Sequence, residues 1–268
     1  MKPLFWICAL VLIVLVSACK KEDLPDVVED DSLECIDEFD AALHEIDADI
    51  EEFLEQQFQT EDVANRSCPN RTLLSENQDF PRTIKIDYGV ACTRHNGRVF
   101  SGKIIVQLDA PRTLETFTRT LEFIDFKINS TSVEGQSKRT KVSNGIFSHE
   151  FNIQYLFPDG ETAQWSGFRS VVQIEGQETP RYIDDVFEIT GNSTGHNKDG
   201  VTFISEITTP LIRHANCPWP SFGVRKITRG EQELLMDYEP GVARCNNLVE
   251  VTYPDGTSKT IRVRNRFN

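Results

Sequence analysis

The chain has 268 residues, of which 39% are hydrophobic and 26% charged, with a formal net charge of −14. That is enough for one large domain or two small ones, and it is neither a disordered nor a multi-span membrane composition. An acidic chain is a poor match for nucleic acid, because phosphate contacts need clustered Lys and Arg. The charge is unevenly placed: residues 20–62 carry 18 Asp/Glu against two Lys, whereas residues 63–268 carry 24 against 25 Lys/Arg.

The short basic start Met1-Lys2-Pro3 leads into thirteen apolar residues, Leu4 to Val16. That run suits the core of a signal peptide and falls short of the ~20 residues that span a bilayer. It ends in Val16-Ser17-Ala18-Cys19, which resembles a bacterial lipobox. Residues 1–18 therefore read as a signal peptide and Cys19 as the lipid anchor, with palmitate among its acyl chains. An ordinary secretory signal and an uncleaved anchor are the rival readings. At roughly 0.8 kcal/mol per buried methylene, several acyl chains hold a protein on a membrane permanently. Lys20 follows the cysteine, and then Lys21-Glu22-Asp23, a Lys and two acids that resemble the surface-export signal of Bacteroidota lipoproteins. The expected location is the outer membrane, facing outward; the plainer reading is the start of a charged linker.

Residues 19–34 form an acidic tether without periodicity, and Asp31-Ser32-Leu33 in it resembles the O-glycosylation site of the same phylum, which would modify Ser32. Four Asn-x-Ser/Thr matches, at Asn65, Asn70, Asn129 and Asn192, mean nothing in a bacterial host. Residues 35–60 then form an acidic amphipathic segment, its helix expected from about Leu33 to Gln57. Ile36, Phe39, Leu43, Ile46, Ile50 and Phe53 share one helical stripe, with Asp and Glu on the other faces. Packing on the following domain is the expectation, a self-associating spacer the alternative, and the acidic face is expected in solvent.

From about Val63 to residue 268 the period changes to two. Ile104-Val106-Leu108, Phe147 to Phe157, Val201-Phe203-Ser205-Ile207, Leu234-Met236-Tyr238 and Val249-Val251-Tyr253 all alternate. Asn96-Gly97, Pro158-Asp159-Gly160, Asp199-Gly200 and Pro254-Asp255-Gly256 lie between such runs as hairpin turns. Roughly twelve strands result, with no helix-period stretch between them, so the fold class is mainly β: an antiparallel meander as sandwich, curved sheet or barrel. Within 114–128 the alternation changes phase after Phe123, which predicts a β-bulge carrying the strand between sheets.

Two stretches echo each other. Each reads Cys-Pro, a strand, Asp-Tyr, Gly-Val-Ala and a second cysteine: Cys68-Pro69 to Cys92 and Cys217-Pro218 to Cys245. The order argues for two related modules. Cys8 leaves with the signal peptide and Cys19 takes lipid, leaving Cys35, Cys68, Cys92, Cys217 and Cys245 in an oxidising compartment. Spacing alone does not choose a connectivity; the echo favours Cys68–Cys92 and Cys217–Cys245, with Cys35 unpaired.

Phe80 to Val106, Glu188-Ile-Thr-Gly-Asn-Ser-Thr-Gly195 and Ile207-Thr-Thr-Pro-Leu211 through Cys217-Pro-Trp219 together resemble uncharacterised β-rich lipoproteins of Bacteroidota, especially flavobacteria. The resemblance covers most of residues 65–266 and implies location and fold, but no activity.

The chain carries no phosphate loop, dinucleotide fingerprint or His-Glu-x-x-His. Gly191-Asn-Ser193-Thr-Gly195 matches a nucleophile elbow, but strand pattern lies on both sides of it, where the elbow needs a helix. His149, on an apolar strand face, reads as a hydrogen-bonded core histidine, and His214-x-x-Cys217 lacks a second pair for zinc. His44 is on the helix, while His95 and His196 fall in turns. Asp87 and Asp237 read as turn caps, Asp184-Asp185 with Glu188 as a solvated strand end, and Trp165 and Trp219 as packing. No catalytic, cofactor or metal residue is assigned. The expected function is a non-enzymatic binding or structural module of the envelope, contacting the membrane through Cys19 and a glycan, protein or other envelope ligand. A periplasm-facing carrier of an apolar ligand is the alternative, and a hydrolase without a recognisable motif the third.

Overall fold

A computed structural model describes residues 31–56, 68–75, 79–94, 96–112, 114–179, 181–238 and 245–263. Cys19, the expected lipid anchor, and Lys21, Glu22 and Asp23, the expected export signal, lie outside them, as do His95 and the second Gly-Val-Ala at 241–243.

One helix, α1 (Asp31–Gln56), precedes thirteen strands in a single antiparallel sheet whose order is the order of the sequence, β1 to β13. The sheet is not closed. The strands are β1 (Asn70–Leu73), β2 (Arg82–Thr93), β3 (Val99–Leu108), β4 (Thr118–Ile128), β5 (Thr131–Ser143), β6 (Ile146–Leu156) and β7 (Thr162–Glu175). A 3-10 turn, Tyr182–Asp184, leads to β8 (Val186–His196), β9 (Thr202–His214), β10 (Phe222–Arg229), β11 (Gln232–Asp237), β12 (Leu248–Thr252) and β13 (Ser258–Arg262). Of the three architectures left open by the periodicity, the curved open sheet is the one adopted.

Each of the four expected turns joins paired neighbours: β2–β3, β6–β7, β8–β9 and β12–β13. The phase change after Phe123 is also present. Leu121, Phe123, Phe126 and Ile128 are buried while Ile124 is exposed, and Asp125 has φ 48°. The extra residue bends the strand within one sheet and does not pass it to a second. Gly102 lies across from this bulge with φ +80°, and a Cβ there would collide with the Asp125 carbonyl, so the close strand approach requires glycine.

One contiguous core fills the space between helix and sheet. Ile36, Phe39, Leu43, Ile46 and Ile50 of the helix are buried against sheet residues such as Ile86, Ile104, Val106, Ile153 and Met236. Phe39 stacks on Tyr155 with ring centroids 3.8 Å apart and also meets Trp165, which is fully buried. Phe53 is only partly buried at the edge of the cluster. Disulfides join Cys68 to Cys92 and Cys217 to Cys245, as the echo anticipated.

The acidic face departs from expectation. Asp37, Glu38, Asp40, Asp47, Asp49 and Glu51 are at most 7% exposed, so the helix is buried on its charged faces as well as its apolar stripe. A helix apolar all round is buried without electrostatic cost; a charged one needs partners for every ion. The sheet supplies them.

Candidate functional site

The interface between α1 and the concave face of the sheet gathers the buried charge of the described residues. Its origin is visible in the strand register. Arg119 of β4 lies opposite Arg139 of β5, Arg139 opposite His149 of β6, and His149 opposite Arg169 of β7. Like charges directly across strands are destabilising, so this basic row needs an acidic element laid over it.

Helix α1 is that element. Asp40 takes Arg169 at both oxygens and receives Arg225 Nη2 at 2.6 Å. Asp37 receives Arg225 Nη1 at 3.0 Å. Asp47 joins Arg119 and Arg139, the latter at 2.9 Å, while Glu51 receives Arg119 at 3.0 Å and Arg112 at 2.7 Å. Towards the helix C-terminus, Glu45 pairs with Arg98 and Arg94, Asp49 with Arg94 and Arg71, and Glu52 with Arg71. Seven carboxylates thus meet eight arginines that come from β1, β4, β5, β7, β10 and the β2–β3 and β3–β4 connections. Contacts to strands so far apart in one sheet require the sheet to curve around the helix.

The Asp-Tyr pairs of the two modules acquire a role here. Tyr88 donates its hydroxyl to Asp49 Oδ2 at 2.8 Å, and Tyr238 donates to Asp37 Oδ1 at 2.6 Å. Twelve positions of an α-helix span about 18 Å, so the modules grip α1 at two separate points. The neighbouring Asp87 does not cap a turn after its strand: β2 continues past it, and its carboxylate accepts the Gly89 N–H at 3.0 Å across a β-bulge within the strand.

Burial and guanidinium fields set the protonation states. At Asp40 burial works to raise the carboxyl, but Arg169 and Arg225 overcome it and hold it well below the carboxylate range. At Asp47 burial is likewise outweighed, by Arg119 and Arg139, leaving it at about 2. At Asp37 burial dominates over Arg225 and the Tyr238 hydrogen bond, and the carboxyl is raised. Burial, then Arg139, pushes His149 down to about 3; burial, then Arg213, pushes His44 down to about 4. Both imidazoles are therefore neutral. His149 Nε2 lies 2.8 Å from Ser137 Oγ and His44 Nε2 lies 2.9 Å from the Ala215 carbonyl.

A cavity of about 30 Å³ remains in this interface. Its polar lining includes His44, His149, Tyr182, Arg139, Arg169 and Arg213, with Asp40 and Asp47 on the helix side. Such a volume admits about one or two water-sized occupants. The Ser137–His149 contact is the nearest approach to a nucleophile–base pair, but both residues are buried beneath the helix, at 4% and 6% exposure.

The remaining sequence candidates do not converge on this site. Ser193 is buried mid-strand in β8, opposite Gly167 and Ser205, so no elbow forms. Cys217 is disulfide-bonded and leaves His214 without a zinc partner; among the described residues no cluster of His, Cys, Asp or Glu could hold a metal. Asp185 is not solvated as expected: it is 3% exposed, accepts Gln173 Nε2 at 2.8 Å, and burial raises it to about 6. Asp184 does face solvent and accepts the Thr179 hydroxyl. Trp165 is core packing, and Trp219 packs at its margin beneath Arg98. The arginines themselves were missed, because singly spaced basic residues on alternating strands read as ordinary surface. Their signal was numerical: the acid surplus of residues 20–62 sits beside a domain with arginines at inward strand phases.

No protein-family model matches the chain, and neither a curated protein nor a solved structure was found to be similar to it.

Proposed function

We propose that the chain is an outer-membrane lipoprotein, anchored through Cys19 and displayed outward by Lys21-Glu22-Asp23, that acts as a non-enzymatic binding or structural module of the envelope. The observation that carries the module reading is the occupation of the concave face by the chain's own helix. A carrier would hold its apolar ligand in that concavity, and here the space left is about 30 Å³. A hydrolase would bring its polar groups to an open cleft, and here His149 and its partner Ser137 are buried beneath α1. What the domain offers a glycan, protein or other envelope partner is its outer face, its loops and the strands β1 and β13 that end the sheet. The resemblance to lipoproteins of Bacteroidota supports the same location.

In this reading the tether does not merely hold the domain: it runs straight into α1, the centre of the core. Three measurements test the proposal. Labelled palmitate is expected on the wild-type protein and not on Cys19→Ala, and protease added to intact cells is expected to remove the domain. A labelled Cys19→Ala chain refutes the anchor, and protection in intact but not lysed cells refutes outward display. Fatty acid extracted stoichiometrically from purified, delipidated protein would overturn the module in favour of the carrier.

A further inference from the structure

Arg213 differs from the other buried arginines of the interface. It is 5% exposed, yet among the described residues it makes no ion pair within 4.0 Å and donates no side-chain hydrogen bond. Its Nε is buried without a partner, and its side chain lines the cavity. An arginine does not shed its proton to escape such a setting, as a lysine can. A second donor points the same way: Tyr182 is 7% exposed and lines the same cavity, and its hydroxyl donates to no described residue. Burial raises the Tyr182 hydroxyl above its ordinary value, so it keeps its proton to donate.

The charge around the cavity sets the kind of occupant. Arg139, Arg169 and Arg213 face it from β5, β7 and β9, and Asp40 and Asp47 face it from α1. Both carboxylates are shared with arginines outside the lining, Asp40 with Arg225 and Asp47 with Arg119. Asp37, the other acid within reach of the Arg213 field, is pushed towards its neutral form by burial. His44 and His149 are neutral and add no charge. Three guanidiniums against two shared carboxylates leave an excess of at least one positive charge, beside two free donors. We propose that the cavity is a binding site for one small monovalent inorganic anion of halide size, held by the Arg213 guanidinium and the Tyr182 hydroxyl. The small volume favours a monatomic ion over a tetrahedral oxyanion such as sulfate or phosphate, and the excess charge favours an anion over water.

Bromide is the probe. Crystals of the mature protein grown in sodium bromide are expected to show an anomalous peak in the cavity, in contact with Arg213. In solution, the thermal midpoint is expected to rise saturably with chloride or bromide, by about 5–10 °C at a hundredfold excess over Kd. Sulfate at equal ionic strength should not reproduce that rise, and Arg213→Met should abolish it. Water alone in the cavity, an equal shift in sulfate, or an unchanged halide response in Arg213→Met each overturns the site. The bromide map on wild-type protein decides the question even where the variant does not fold.

Discussion

Asp40 is the most constrained carboxylate of the interface, and Asp40→Asn isolates what its charge contributes. The side chain is 2% exposed and holds two arginines at once, Arg169 through both oxygens and Arg225 Nη2 at 2.6 Å. The amide is nearly isosteric, so packing is kept. One oxygen becomes an N–H donor facing guanidinium donors, and two buried cations lose their counter-charge. Removing one partner of a buried pair costs about 3–5 kcal/mol. For a domain of this size that corresponds to a fall in thermal midpoint of about 6–20 °C. Urea unfolding with disulfides intact measures it, provided the m-value is unchanged. The complementary variant Asp40→Leu with Asp37→Asn, Arg169→Met and Arg225→Met removes the ions that Arg225 and Arg169 hold together and is expected to regain most of the loss. The exposed Asp159–Lys198 pair is the control, and Asp159→Asn should change nothing measurable. A loss under about 1 kcal/mol for Asp40→Asn would refute the burial of the charged helix face, and with it the account of how α1 is seated.

Tyr88→Phe and Tyr238→Phe each remove one hydroxyl donated to a buried carboxylate, and each is expected to cost about 1.5–3 kcal/mol in urea unfolding. Their targets lie twelve positions apart on α1, so the double variant should lose the sum; strong non-additivity would contradict two separate grips. His149, lowered to about 3, stays neutral in the fold while the unfolded chain takes up its proton below about 6.5. Stability from this group is therefore present at neutral pH and lost on acidification. Relative to wild type, His149→Gln should flatten the pH dependence between pH about 4 and 6 by about 1.4 kcal/mol per unit. Asp185, raised to about 6, opposes that slope in both proteins, so the difference between them is the readout; identical slopes would contradict a neutral buried imidazole. Gly102→Ala places a methyl group against the Asp125 carbonyl at φ +80° and should cost at least about 1–3 kcal/mol, visible as a lowered urea midpoint.

Much of the fold was legible along the chain. Alternation of period two marked the strands because a pleated sheet exposes every second residue, and turn chemistry at Asn96-Gly97 or Asp199-Gly200 marked the hairpins. The helical stripe from Ile36 to Phe53 gave α1 within a residue or two of its ends. The echo paired the cysteines, because two modules with the same order of residues close the same kind of loop. Thirteen strands form where about twelve were expected, the short β1 (Asn70–Leu73) and β13 (Ser258–Arg262) being the kind of element that alternation resolves poorly. The site was much less legible. Asp37, Asp40 and Asp47 looked like a solvated face, since carboxylates are buried only with partners and no nearby residue offered one. Their partners come from Arg225, Arg169 and Arg139, between 92 and 188 positions away.

That separation changes the meaning of the uneven charge. The sequence by itself determined that acids are concentrated before residue 63 and that an almost neutral β-rich domain follows. It also determined the strand period, the turns and the apolar stripe, all of which are local properties of spacing. Only the tertiary structure decided where the acidic helix lies. Curving one open sheet brings arginines from strands far apart in sequence onto a single concave face. The mutual repulsion of that face is relieved by a helix whose carboxylates are distributed around it. The acids of α1 therefore belong to the core of the domain, through long-range pairing that no local pattern records.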